Sequence, residues 1–252
     1  MPRSFTYSAL TLRVKSTGES NREAWFLTAE EGILRATLFG GPKSRLRALV
    51  TPFHGGKLWI YHDPVRDSRK VNDFDVQSYR SGIRELWERT MTANAVAETV
   101  LSSHGGGGNW KTAIDLAGNV LDVLDKADAN TCSRTGIYFL WRWAEILGVK
   151  PDLSSCVLCG REAEREENLW FSTGREFLYC EDCMRNNSSQ DMPAWFRAGP
   201  GARLWLGKIE SLPAADMARF TLETVSFDQA GKLSKAILTA ALGKSLPTWQ
   251  EF

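Results

Sequence analysis

Residues 24–40, AWFLTAEEGILRATLFG, read as two strands joined by a charged Glu30-Glu31-Gly32 turn. Apolar and polar side chains alternate on both sides of that turn, the period-two pattern of a strand with one buried face. Upstream, SFTYSALTLRVK (4–15) repeats the alternation. Downstream, LRALVTPFHGGKLWIYHD (46–63) predicts two more strands about a Gly55-Gly56 turn. Roughly four or five short strands with turn residues between them predict a small β barrel or sandwich over residues 1–78.

Near residue 79 the period changes. In SYRSGIRELWERTMTANAVAETVL (78–101) apolar residues fall at 83, 86, 87, 91, 95, 96 and 100, which is helical spacing and places Trp87 on the apolar side. After the SHGGGGN break, Asn109 is placed to cap a helix from Trp110 that carries Ile114, Leu116, Ala117, Val120, Leu121 and Leu124. GIYFLWRWAEILG (136–148) is apolar nearly all round, so a central buried helix is expected, ended by Gly148 and Pro151. AWFRAGPGARLWLGKI, PAADMARFTLETVSF and DQAGKLSKAILTAALGKSL (194–246) read as mainly helical. The fold class is α+β. The expected divisions are a barrel at 1–78, a helical domain at 79–150 and 189–252, and a cysteine module at 151–188 inserted within it.

The chain has 252 residues, enough for one large domain or two to three small ones. No apolar run reaches the roughly 18 residues that span a membrane. The opening residues do not resemble a secretory signal, and five cysteines gathered mostly in one cluster do not make a disulfide framework. A cytoplasmic, nucleoid-associated protein is expected. Net charge is +1, but residues 1–60 alone carry +5, leaving −4 for the rest. Such a division suits a polyanion-binding end joined to a differently used body.

Four of the five cysteines form two C-x-x-C pairs, Cys156/Cys159 and Cys180/Cys183. Each pair makes a tight knuckle that aims two thiolates at one ion, and the strand-like LWFSTGREFLYC (169–180) between them forms a hairpin that brings the knuckles together. The spacing predicts a structural Zn²⁺; four thiolates could also hold an iron–sulfur cluster. A thioredoxin-like redox site needs one such pair at a βα junction, not two facing pairs. Four cysteines close the coordination shell, and His54, His62 and His104 all lie at least fifty residues upstream, so a hydrolytic zinc is not expected. Glu181 and Asp182 read as solvated turn residues, and Cys132 as a small buried apolar side chain.

FGGPKSRLRALVTPF (39–53) sets Lys43, Arg45 and Arg47 at alternate positions after two glycines, with Ser44 able to add a hydroxyl contact. In an extended segment the three cations leave one face together. With Arg35, Lys15 and Lys57 they are the candidate phosphate track. Of the ten tryptophans most read as core, and Trp59 and Phe53 are the better candidates for base stacking.

On these residues the chain resembles a known family. Gly18-Glu19-Ser20-Asn21, Thr28-Ala29-Glu30-Glu31-Gly32, Lys43-Ser44-Arg45-Leu46 and Pro52-Phe53 are similar to the N-terminal domain of the bacterial recombination mediator RecO, and LGVKPDLSSCVLCG (147–160) with Phe171-Ser172 to its cysteine region. Asn21 stands where the family usually has an acid, and REFLYC (175–180) where it often has glycines. The resemblance implies an OB-fold barrel and a helical domain with an inserted zinc module. It also implies binding to single- and double-stranded DNA, annealing of complementary strands, partnership with RecR, and capture of the acidic tail of single-strand DNA-binding protein (SSB) so that RecA is loaded. Arg134, Arg142 and Lys150 are the candidate cations for that tail. Two other classes compete: a non-catalytic protein-interaction adaptor, and a zinc nuclease or deaminase. The closed Cys₄ shell and the missing H-x-E signature count against an enzyme.

Overall fold

The computed structural model describes residues 3–41, 43–174, 177–187 and 195–251. Pro42 of the basic stretch, the Arg175-Glu176 pair of REFLYC, and residues 188–194, which hold the expected end of the cysteine module and Ala194, lie outside the described residues. The chain folds as two compact units, Met1–Asp128 and Ala129–Phe252.

The first unit is built on a closed five-stranded barrel of order β1-β2-β3-β5-β4. Its strands are β1 (Ser4–Thr17), β2 (Asn21–Thr28), β3 (Gly32–Leu38), β4 (Gly55–Asp63) and β5 (Ser68–Ser78). The long β1 pairs with β2 through its second half and with β4 through its first, and β3 meets β5 in parallel at Thr37–Lys70. This closure is that of an OB-like barrel. Inward residues of every strand fill it, among them Ala24, Phe26, Leu34, Leu58, Ile60 and Phe74, with the Phe26 and Phe74 rings edge to face at 6.1 Å. The barrel closes at the β3–β5 seam, where the registered pair is Thr37–Lys70.

Two expectations for residues 46–63 are corrected. Leu46–Leu49 forms a short helix, α1, and not a strand. Gly55 and Gly56 begin β4 instead of turning the chain. Gly56 is required by close approach: a Cβ there would stand 2.0 Å from the Asp75 carbonyl oxygen. At the β2–β3 turn Gly32 has φ +71°, open to glycine without cost, and a Cβ would strike the Trp110 indole at 2.6 Å.

Helices α2 (Trp87–Ser102) and α3 (Trp110–Leu124) belong to the same unit. Asn109 caps α3, its side chain accepting from the Thr112 N–H. Ala113, Ala117, Val120, Leu121 and Leu124 form the buried stripe of α3. On α2 the buried side is made of small residues from Thr92 to Val100, and Trp87, expected in the core, is 66% exposed. Arg80 fastens helix to barrel: it donates to Asp122 at 2.7 Å, to the Phe53 carbonyl at 2.7 Å and to the Gly118 carbonyl at 3.3 Å.

The second unit is organised around α4 (Ala129–Ile146), whose Cys132, Phe139, Trp141 and Trp143 are buried as expected. Helices α6 (Pro200–Ile209) and α7 (Thr224–Leu242) and a 3₁₀ turn at Ala214–Arg219 pack against it. A three-stranded antiparallel sheet, order β7-β6-β8, contains β6 (Leu169–Ser172), β7 (Phe177–Tyr179) and β8 (Trp195–Ala198). Strand β8 corrects the helical reading of AWFRAG. Gly199 is extended ahead of Pro200, as a residue before proline tends to be, and Pro200 starts α6 at its first turn. Among the described residues no helix is long and apolar enough to cross a membrane.

Candidate metal centre and nucleic-acid face

The first knuckle runs from Cys156 to Gly160. The Gly160 N–H returns to the Cys156 carbonyl at 2.9 Å, with Gly160 at φ +70°, and the Val157 N–H donates to the Leu178 carbonyl at 3.0 Å, tying the knuckle to β7. Cys180 ends β7 and Cys183 lies on helix α5 (Glu181–Asn187). Hairpin and helix thus bring all four cysteine Sγ atoms within 4.8 Å of one another, with Cys159 and Cys180 at 4.0 Å. A tetrahedral ion with metal–sulfur bonds near 2.3 Å needs Sγ–Sγ edges of about 3.8 Å, so the residues fit a metal ion. Among the described residues the group contains neither histidine nor carboxylate. Glu181 and Asp182 occupy the first turn of α5, where Glu181 pairs with Arg185.

The thiols are far from independent. Burial raises the Cys156 thiol, but hydrogen bonds from the Cys159, Cys180 and Leu158 backbone outweigh it and bring the pKa to about 6. Burial and the neighbouring cysteines push Cys183 up to about 12. One thiolate forms readily and the last does not form without a cation to offset the charge it adds. Around the centre, Arg161 grips Glu167 through both guanidinium nitrogens, and this pairing holds the Glu167 carboxyl below the ordinary carboxylate range. Arg203 of α6 donates to the Leu153, Glu164 and Glu167 carbonyls.

The basic candidates of the barrel do not sit as an extended segment would place them. The chain turns at Ser44, whose N–H donates to the Gly41 carbonyl, and is helical from Arg45. Lys43 and Arg45 are exposed; Arg45 approaches Asp73 at 3.6 Å, and Arg47 donates to the Ser20 carbonyl of the β1–β2 turn at 2.7 Å. Lys15 on β1 and Arg35 on β3 flank Glu23 of β2, and Arg35 pairs with it at 2.5 Å. Lys57 stands on β4 with its Nζ 5.6 Å from the Trp59 ring centroid. Trp59 is half-buried, while Phe53 is 5% exposed and is no surface for a base.

In the second unit Arg134 donates to the Met217 carbonyl, and Arg142 and Lys150 share Glu145 and Glu210. Lys150 lines a cavity of about 900 Å³ with Leu153, Arg165, Arg203, Leu204 and Lys208; Arg134 and Arg142 do not reach it.

Two profiles of one family match this chain, Recombination protein O N terminal over residues 1–79 and Recombination protein O C terminal over residues 84–250. The chain belongs to the RecO family. It is 25% identical over 264 residues to the DNA repair protein RecO of Heliobacterium modesticaldum, covering 97% of this chain and 92% of that protein. Against the DNA repair protein RecO of Desulfatibacillum aliphaticivorans it is 24% identical, with 95% and 92% covered. Against that of Alkaliphilus metalliredigens the values are 27%, 68% and 69%. RecO membership places the chain in DNA repair and recombination.

Within this RecO chain the sequence reading missed two surface residues, Arg13 and Trp25. Trp25 lies between the core residues Ala24 and Phe26 and therefore points outward, and Arg13 and Arg35 stand opposite it on β1 and β3. In AWFLT (24–28) four apolar residues run together, so the sequence alone does not mark Trp25 as the outward one, and its partners across the sheet depend on register.

Proposed function

We propose that this RecO protein is a non-catalytic recombination mediator. In this reading it binds single- and double-stranded DNA, anneals complementary strands, and acts with RecR and SSB to load RecA on SSB-coated strands. The observation that carries the reading is the closed barrel whose β1–β3 outer face and following turn carry Arg13, Lys15, Arg35, Lys43, Ser44, Arg45 and Arg47, in a chain matched to the family from end to end. Lys57 extends the set on β4. Annealing on such a surface needs no covalent chemistry, because cations lower the repulsion between two strands and raise their local concentration. Each phosphate engaged contributes a slope of about −0.7 for single strands or −0.9 for duplex in log K against log salt.

The metal in this reading is Zn²⁺, held by Cys156, Cys159, Cys180 and Cys183, and it supplies folding free energy only. A four-thiolate shell leaves no open position for water or substrate. The candidate site for the acidic, partly apolar SSB tail is the cavity beside Lys150, which Arg165, Arg203, Lys208 and the 53% exposed Leu204 line together with the carboxylates Asp152 and Glu210.

The test is binding of a fluorescent oligo-dT strand at several salt concentrations, with and without a peptide copying an SSB tail. Steep, sequence-independent salt dependence with separate peptide binding is the expected result. Peptide binding without DNA binding would move the assignment to an adaptor, and loss of both would sink the mediator reading.

A further inference from the structure

The outer face of the β1–β2–β3 sheet carries a built arrangement that ordinary surface chemistry does not require. Trp25, half-buried on the central strand, has Arg13 directly opposite on β1 and Arg35 directly opposite on β3. The two guanidinium carbons lie over the indole at 5.7 and 5.6 Å from its centroid. Two like charges have thus been drawn to one ring. Arg35 is further oriented by Glu23, whereas Arg13 makes no ion pair among the described residues. Lys15 faces Glu23 two residues along β1, and beside Arg35 a cavity of about 570 Å³ opens, lined also by Glu23, Thr37, Asp67, Ser68 and Arg69.

A guanidinium held over an aromatic ring by a cation–π contact still offers N–H groups to a phosphate, and on Arg35, whose Nε–H is taken by Glu23, these are the two Nη groups. Long arginine side chains otherwise lose rotamer freedom on binding; a ring that already holds them removes much of that cost. Core packing does not explain the tryptophan, because its ring lies on the side away from Phe26 and the barrel interior. Ion pairing accounts for Arg35 through Glu23 but not for Arg13, which makes no ion pair among the described residues.

We infer that Trp25 is a positioning residue that holds Arg13 and Arg35 as a pair of forks for two phosphates of a single DNA strand lying across β1, β2 and β3. This rests on the reading that the barrel binds DNA. The occupant follows from charge complementarity: Arg13, Lys15, Arg35 and Arg69 outnumber the carboxylates Glu23 and Asp67 beside them, and a phosphodiester chain presents acceptors and negative charge at every residue.

The experiment is oligo-dT binding across a salt series for the full chain and for Arg13→Ala/Arg35→Ala, Trp25→Ala and Trp25→Phe. Loss of two contacts in the double arginine variant is expected to reduce the magnitude of the salt slope by about 1.4, at about 0.7 per phosphate. Trp25→Ala changes no charge, yet it is expected to reduce the slope by a similar amount. Trp25→Phe keeps most of the slope, and combining Trp25→Ala with the arginine changes adds little further. Weaker binding by Trp25→Ala at unchanged slope means the indole contacts a base itself and overturns the inference, as does unchanged binding. Should Trp25→Ala fail to fold by circular dichroism, the double arginine variant decides: an unchanged slope overturns the inference. A wild-type chain that ignores oligo-dT overturns the DNA reading of the barrel itself, a result distinct from a wild-type chain that binds while the variants bind equally well.

Discussion

The barrel and the cysteine module are held together by different physics. The barrel has an interior: Phe26, Leu34, Leu58 and Phe74 are fully buried among their neighbours, on strands joined in a closed barrel. The module between residues 151 and 187 has two short strands, one short helix and a few buried side chains, and it is fastened by four thiols and two arginine clasps. Burying apolar area contributes about 25 cal/mol per Å², so a segment with little area to bury needs another source of free energy. On the proposed reading, a structural metal ion at the four cysteines would provide it in one step. The lesson is that the two regions should fail separately and for different reasons.

The sharpest break of that comparison is metal removal. Structural zinc in such sites is worth on the order of 10 kcal/mol of folding free energy. Cys180→Ser, or a strong chelator, is therefore expected to open the segment from 151 to 187 to proteolysis and to release one zinc per chain, while oligo-dT binding by the barrel persists. Cys132→Ser, buried on α4 and outside the cluster, is expected to keep the metal. Metal analysis with limited proteolysis decides the matter, and loss of DNA binding together with the metal would break the separation.

The reverse experiment attacks the barrel. Phe26→Ala leaves a cavity in a closed interior against Phe74, at a cost of about 3–5 kcal/mol. DNA binding is expected to fall with the melting temperature of the first unit, while the cysteines still retain their metal. Thermal melts followed by zinc retention on the same sample make the check. Zinc loss in step with the barrel transition would show that the two regions fold as one.

The two regions also differ in how far their sequences can be read. The cysteine cluster was legible because the chemistry is local: two residues between paired thiols keep each pair together, and the hairpin between the pairs follows from its own alternation. The barrel was legible as a class and not in detail. LRAL is too short for periodicity to separate a strand from a helical turn, so α1 needed its hydrogen bonds to be seen. Gly55-Gly56 carries the composition of a turn, yet glycine is demanded there by the approach of the Asp75 carbonyl from a strand not yet placed. Trp87 sits at an apolar position of α2, but the small residues from Thr92 to Val100 decided which side packs. Arg13, Trp25 and Arg35 are adjacent only through the register of three strands, which no single stretch encodes.

The smallest effect sharpens the comparison within the module itself, by asking how much of its stability the clasps supply beside the metal. Arg161 holds Glu167 below the ordinary carboxylate range, and Ser155 does the same for Asp152, so both groups are lower in the folded state than unfolded. Their stabilisation is fully present above about pH 4, the unfolded carboxylate value, and is lost as pH falls through the lowered folded values. Solvent-exposed pairs of this kind contribute little, because water and salt screen them. Glu167→Gln is therefore expected to lower the stability of the module only slightly at pH 7 in urea unfolding. On the zinc reading the thiolates at the centre also take up protons in acid, and they do so equally in both chains. The gap between wild type and variant is thus the informative quantity, and it should narrow below about pH 4 and close as pH falls through the lowered folded value of Glu167, where the carboxylate loses its charge. A gap that stays constant into acid would mean that Glu167 acts by its shape and its contacts with the 164–167 turn, leaving the metal as the main electrostatic anchor of the module.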